Sequence, residues 1–228
     1  LKQCLRPWTP DRLHCATHSF RGSQSILLTA NARGKAAAAR QLAKDWHAGK
    51  LTGIGDQQMP ERPGRPASPE LLPPRLMPRR RKAGAQHTRI ALIHAVAHIE
   101  LNAIDLAVDI AGRFGPAIGQ DDFITDWLSV ADDEARNFGL LDDRLRAVGS
   151  HYGALPAHDG LWEAAESTAH DVMARLAIAH MVLEARGLDV TPAMIQRFQR
   201  AGDNEPADIL GIIYHDEIGH VRLGAKWF

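Results

Sequence analysis

Four segments of the chain carry acidic residues where charge is least welcome. Glu100 sits in HAVAHIELNAIDLAVD with apolar neighbours on every side, and Asp133-Glu134 lies in VADDEARNFGLL. Glu184 follows the nearly uncharged run LAIAHMVL, and Asp216-Glu217-x-x-His220 is set in ILGIIYHDEIGHVRLG. A buried ionised carboxylate is costly unless it is paired or holds a metal. Four of them facing one another would repel, and divalent cations are the economical remedy. The spacing repeats: Glu100 precedes Glu134 by 34 residues, and Glu184 precedes Glu217 by 33. The second member of each pair opens an Asp-Glu-x-x motif, ending in Asn137 on one and His220 on the other. Glu and His three apart lie about 300° around a helix, on one face and one turn apart, so both can reach the same ions. Asp216, four residues before His220, is placed to accept a hydrogen bond from its ring and orient it. Asp133 holds the same place before Asn137. Tyr214, one turn before Glu217, falls on the same stripe.

The elements that must position these groups are helices. Ile90, Leu92, Ile93, Val96, Ala97, Leu101, Ile104 and Val108 recur at three- and four-residue spacing, which predicts a helix from about residue 88 to Gly112. A turn in GRFGPAIGQDD leads to a second helix over about 122–148, and HYGALPAHDG breaks it. A third helix is expected over about 161–186, with Gly187 as its C-cap. Thr191-Pro192 reads as an N-cap and first helical position for a short helix to about Ala201. A last helix opens at Asn204 and Pro206 and runs to Phe228. No β-hairpin signal appears, so the fold class is all-α: an antiparallel four-helix bundle over 88–228. Residues 1–87 form an N-terminal arm. It holds one helix over about 34–50 and a connector over 51–86 that contains seven of the thirteen prolines in one stretch. That density forbids regular structure. Leu71, Leu72, Leu76 and Met77 are apolar anchors by which the connector would wrap the domain.

Composition narrows the function. The chain has 228 residues, 45% hydrophobic and 24% charged, enough for a real core. Its 27 basic and 27 acidic side chains cancel, giving no global case for nucleic acid. No stretch of 18 uninterrupted apolar residues is present, so no membrane span is expected. Two cysteines, Cys4 and Cys15, cannot build a disulfide framework, which favours a reducing cytoplasmic setting. The N-terminus lacks a signal-peptide pattern, although the chain starts at Leu1 without methionine.

With these motifs in view, the chain resembles the ferritin-like superfamily of carboxylate-bridged di-metal proteins. More closely, it is similar to an uncharacterised bacterial family of ferritin-like domains, a domain of unknown function. The stretches LPPRLMPRRR, HAVAHIELNAIDLA, ADDEARNF, PAHDGLWEAAESTAHD, LEARGLDVTP and DEIGHVRLGAKWF carry the likeness across roughly residues 60–228. The resemblance implies a four-helix bundle whose glutamates bridge and cap two metals, in a pattern of one lone Glu and one Glu-x-x-His per helix pair. By position the ligands are Glu100, Glu134, Glu184, Glu217 and His220, with Asp133, Asp216 and Tyr214 behind them. Asn137 stands where the pattern has histidine. An amide oxygen is a weaker, harder ligand than imidazole, so one of the two metals would be held more loosely.

The expected function is that of an oxygen-dependent oxidase or hydroxylase with two iron ions, or a mixed manganese–iron pair. It would act on an unidentified small molecule, with molecular oxygen and an electron donor as partners. Iron handling by a ferroxidase, a tRNA-modifying hydroxylase and a degenerate scaffold are the other readings, and a homodimer is compatible with all of them. For the tRNA reading, Arg79, Arg80, Arg81 and Lys82 would contact phosphate; the plainer account is a solvated basic face. His94 and His98 point about 240° and 200° away from Glu100 and read as core or interface histidines. His170, about 21 Å along a continuous helix from Glu184, is too far to be a ligand. His180, one turn before Glu184, could reach the site's edge, and an ordinary cavity wall is the plainer account. Met173, Ala177 and Met181 share a face with Glu184 and could line a small cavity. Cys4, His14, Cys15 and His18 match no zinc spacing.

Overall fold

A computed structural model describes residues 17–51, 58–77 and 86–228, with the backbone alone for 17–21. The basic run at 79–82 and the Cys4, His14, Cys15 and His18 side chains lie outside the described residues. Those described are all-helical, and their one β feature is an isolated parallel bridge between Leu71 and Ala157. Two helices absent from or displaced in the sequence reading come first: α1 (Thr17–Leu28) and α2 (Ala32–His47). Asn31 starts α2 by accepting from the Gly34 amide at 2.7 Å, an N-cap just ahead of an alanine-rich run.

The core helices are α3 (Gln86–Ile118) and α4 (Asp121–Ala147), then α6 (Val172–Arg175), α7 (Glu184–Arg200) and α8 (Asn204–Trp227). A short α5 (Gly160–Ser167) precedes α6. The helix α3 does not stop at Gly112. There the missing side chain makes room for Met59, whose sulfur would be 2.6 Å from an added Cβ. The stop comes at Gly119, whose positive φ lets its amide close on the Gly115 carbonyl. Two residues then join α3 to α4, so the two pack as an antiparallel hairpin.

The third expected helix divides differently. The chain turns at 168–171, and Asp171 caps a new start by accepting from the Met173 and Ala174 amides. From there α6 continues without a break through a π-helical segment (Leu176–Leu183) into α7. Gly187 and Thr191-Pro192 are therefore interior to a helix, not its end and the next one's beginning. Thr191 turns its hydroxyl back to the Gly187 carbonyl at 2.8 Å. Packing along α8 outweighs these local stop signals.

The apolar core holds Trp127, Phe123, Phe138, Leu101, Ile104, Ile110 and Phe198. α2 packs on α4 and α1 on α3. The proline-rich segment does wrap, but on other anchors than expected. Met59 is buried, whereas Leu71 and Leu76 are exposed. Leu72 and Ala157 hold the strap by backbone bonds, Leu72 N to Ala157 O at 2.8 Å and Ala157 N to Glu70 O at 3.0 Å. By length and composition α3 could cross a membrane, yet 72% of its most apolar stretch is buried inside the protein, as in a core helix.

Candidate metal centre

Four helices bring the spaced acids together. Glu100 (α3), Glu134 (α4) and Glu217 and His220 (α8) are buried, and Glu184, at the start of α7, is nearly so. Ligand atoms of Glu134, Glu217 and His220 all lie within 4.8 Å of one another, a buried acidic–histidine group that could hold a metal ion. His220 Nδ1 is 3.1 Å from Glu134 Oε1 and 4.0 Å from Glu217 Oε2. Despite this crowding, little is hydrogen-bonded. Both oxygens of Glu134, one each of Glu100, Glu184 and Glu217, and both nitrogens of His220 are buried without a hydrogen-bond partner. Native proteins bury few such atoms, and a cluster of them calls for an explanation.

The electrostatics follow from the crowding. Burial, then the Glu134 and Glu217 carboxylates, hold the Glu100 carboxyl well above the usual range, against the opposing pull of the Asn137 amide. Burial, then Glu134 and Glu184, push Glu217 up to about 9. For His220, burial works to lower the ring; Asp133 and Glu134 outweigh it and raise it to about 11. Without a cation this site therefore holds protons.

Around the acids the two Asp residues are crossed. The carboxylate beside His220 Nε2, at 3.5 Å, is Asp133 of the other helix, not Asp216. Asp216 instead accepts from Asn137 Nδ2 at 3.2 Å. Arg136 bridges the pair, donating to Asp216 and lying 3.0 Å from Asp133. The sequence reading passed over Arg136, although its i,i+3 spacing from Asp133 was a signal. Tyr214 is half-buried and makes no hydrogen bond to these groups.

The remaining histidines sort by burial. His94 accepts from the Gly153 amide at 2.9 Å, and His98 contacts the Tyr152 hydroxyl at 2.8 Å and the His158 carbonyl at 3.0 Å, as core histidines do. His170 is exposed in the turn before α6, away from the acids. Met173 is also exposed, because the break at 168–171 and the π-helical turns shift the expected phase. His180 does reach the centre: its Nδ1 is 2.8 Å from Glu184 Oε1, with the Trp127 ring against it at 4.2 Å between centroids.

The chain is 43% identical over 168 residues to an uncharacterized protein of Haemophilus influenzae, a match covering 72% of this chain and 58% of that relative. The chain thus spans little more than half the length of that relative. No solved structure matches it. Residues 28–228, which include every element of the candidate centre, match the profile described as protein of unknown function (DUF455), and the chain belongs to that family.

Proposed function

We propose that this protein is a ferritin-like di-metal carboxylate protein that oxidises or hydroxylates a small molecule with molecular oxygen. The observation that carries the reading is the cluster of unpartnered ligand atoms on four helices. Four carboxylates would carry four negative charges when ionised, and two divalent cations would balance them. A set rich in oxygen donors with an imidazole suits iron or manganese. Glu100, Glu134, Glu184, Glu217 and His220 would hold the ions, two iron or a manganese–iron pair. Such ions, once reduced by an electron donor, supply the oxygen chemistry. The chain's own residues do the rest. Asp133 orients His220 so that Nδ1 faces the glutamates, Arg136 fixes Asp133 and Asp216, and the buried Trp127, packed on His180, limits water.

The test is metal content by mass spectrometry on protein purified without chelators, beside Glu217→Ala, followed by oxygen consumption by the reduced protein. Close to two iron or manganese ions per chain, lost in the variant, with oxygen uptake, is the expected result. Wild-type protein that folds and takes up no metal would leave a bundle without redox function. Oxygen uptake that oxidises only added ferrous iron would reassign the centre to iron handling.

A further inference from the structure

The duplicated motif leaves the centre one nitrogen short. On α4 the position that mirrors His220 is Asn137, whose amide nitrogen is turned to Asp216. Nδ2 donates to Asp216 at 3.2 Å, and Oδ1 lies 3.5 Å from the Arg136 guanidinium. Among the described residues four histidines are buried: His94, His98, His180 and His220. His98 has both ring nitrogens engaged, and His94 takes the Gly153 amide on the far side of α3. That leaves His180.

We propose that His180 is a metal ligand, supplying through Nδ1 the second imidazole of the centre in place of Asn137. This rests on the di-metal reading and adds a residue to it. His180 is 1% exposed and touches Glu184, and each of the two keeps a further buried atom, Nε2 and Oε2, without a hydrogen-bond partner. Nδ1 and Glu184 Oε1 are 2.8 Å apart. Two donors bound at right angles to one ion, each at about 2.0–2.2 Å, stand about 3 Å from each other. The separation thus suits a shared ion as well as it suits a hydrogen bond. The backbone brings the two together: His180 lies in the π-helical segment that runs into α7, one turn before Glu184, and side chains four residues apart share a helix face. α8 yields space for it at Gly224, one turn past His220, where an added Cβ would stand 3.3 Å from both the His180 Cβ and its carbonyl oxygen. The Trp127 ring packs against the imidazole, 4.2 Å between centroids.

The experiment is anaerobic titration of the metal-free full chain with cobalt(II), read as ions bound per chain, affinity and visible absorption. It compares wild type with His180→Ala, His180→Gln and Asn137→Ala, with thermal melts of each. The expected result is two ions on wild type and Asn137→Ala. In both His180 variants one ion should bind about 100-fold or more weakly, beyond the usual cost of losing a residue behind a ligand. Added imidazole should restore that ion and its absorption in His180→Ala. Two ions held as tightly by His180→Ala would overturn the ligand role and leave the di-metal reading standing. So would a loss that imidazole does not repair but glutamine does, since His180 would then only donate to Glu184. Should His180→Ala fail to melt cooperatively, the near-isosteric His180→Gln decides by the same two readouts. No cobalt on folded wild type would sink both readings together.

Discussion

Two faces of α3 bury acidic residues, and they are treated in opposite ways. On the face toward the arm, Asp105 and Asp109 are fully buried, and protein cations meet them. Lys35 and Arg65 reach Asp105 at 2.5 and 2.7 Å, and Arg175 and Arg113 reach Asp109 at 2.5 and 2.8 Å. The spare donors are used as well. Lys35 also binds the Gly64 carbonyl, Arg65 the Asn102 amide oxygen, Arg175 Thr168 and the Ala165 carbonyl, and Arg113 the Pro60 carbonyl. On the bundle-facing side Glu100 meets Glu134 and Glu217, and among the described residues no protein cation but a histidine stands with them. Arg136 is spent on the two outer aspartates. The same helix thus shows what a finished structural cluster looks like and, beside it, one whose counter-charge the described residues do not provide.

Breaking the finished cluster should have the largest effect. Asp105→Ala would strand Lys35 and Arg65, both fastened to the wrapping arm, and a broken buried pair costs about 3–5 kcal/mol. Urea unfolding followed by circular dichroism checks this, and a loss under about 1 kcal/mol would mean the arm is not held by these charges. At the other cluster the sign should reverse. In metal-free protein Glu217→Gln removes a carboxyl that burial disfavours, so its melting temperature should match or exceed wild type. Saturating ferrous or manganous ion should then stabilise wild type alone, by about 2.7 kcal/mol at 100 times Kd. Equal gains in both proteins would place the binding elsewhere.

The pH dependence sharpens the contrast. Glu217 titrates near 9 in the folded chain and near 4.5 when unfolded, so the folded state binds the extra proton in between. Stability of the metal-free protein should fall as pH rises from about 4.5 to 9, and Glu100 acts in the same direction. His220, raised from 6.5 to about 11, adds a loss above neutral pH. Bound metal requires these groups deprotonated, so metal affinity should rise over the same window. Melts across pH with and without manganese should therefore diverge; parallel curves would count against this centre as the binding site.

How far the sequence speaks differs between the two faces for a physical reason. Glu100, Glu134, Glu184, Glu217 and His220 were legible because helical period and a repeated interval are local facts. Asp105 was not distinguishable from a solvated acid, because Lys35 and Arg65 lie 70 and 40 residues away and only tertiary contact pairs them. The main helices of the bundle were readable from apolar spacing, but the limits of α7 were not. Gly187, Thr191 and Pro192 are honest stop signals that packing against α8 overrode. Spacing places His180 one turn from Glu184, but whether the two side chains meet depends on rotamers that packing against Trp127 and Gly224 sets. The crossed aspartates escaped for a similar reason. An i,i+4 rule sees one helix, and Asp133 serves His220 across two.

That crossing carries the smallest effect and the finest test. Asp133 and Asp216 hold equivalent places in the repeated motif, yet Asp133 stands beside the imidazole of His220 while Asp216 takes the Asn137 amide and Arg136. A partner that orients a metal-binding histidine is worth about 10- to 100-fold in affinity. Asp133→Asn keeps the shape and removes the charge that faces His220 Nε2, so it should weaken one metal about 10-fold. Asp216→Asn leaves His220 untouched and should change metal affinity by less than about 3-fold, within the ordinary scatter of a substitution away from the bound ion. Titrating both variants with the same cation compares them directly. Equal losses would mean that Arg136, through both aspartates, organises the centre as one unit. A larger loss in Asp216→Asn would mean that the Asn137 side of the centre binds its ion more tightly than its amide suggests.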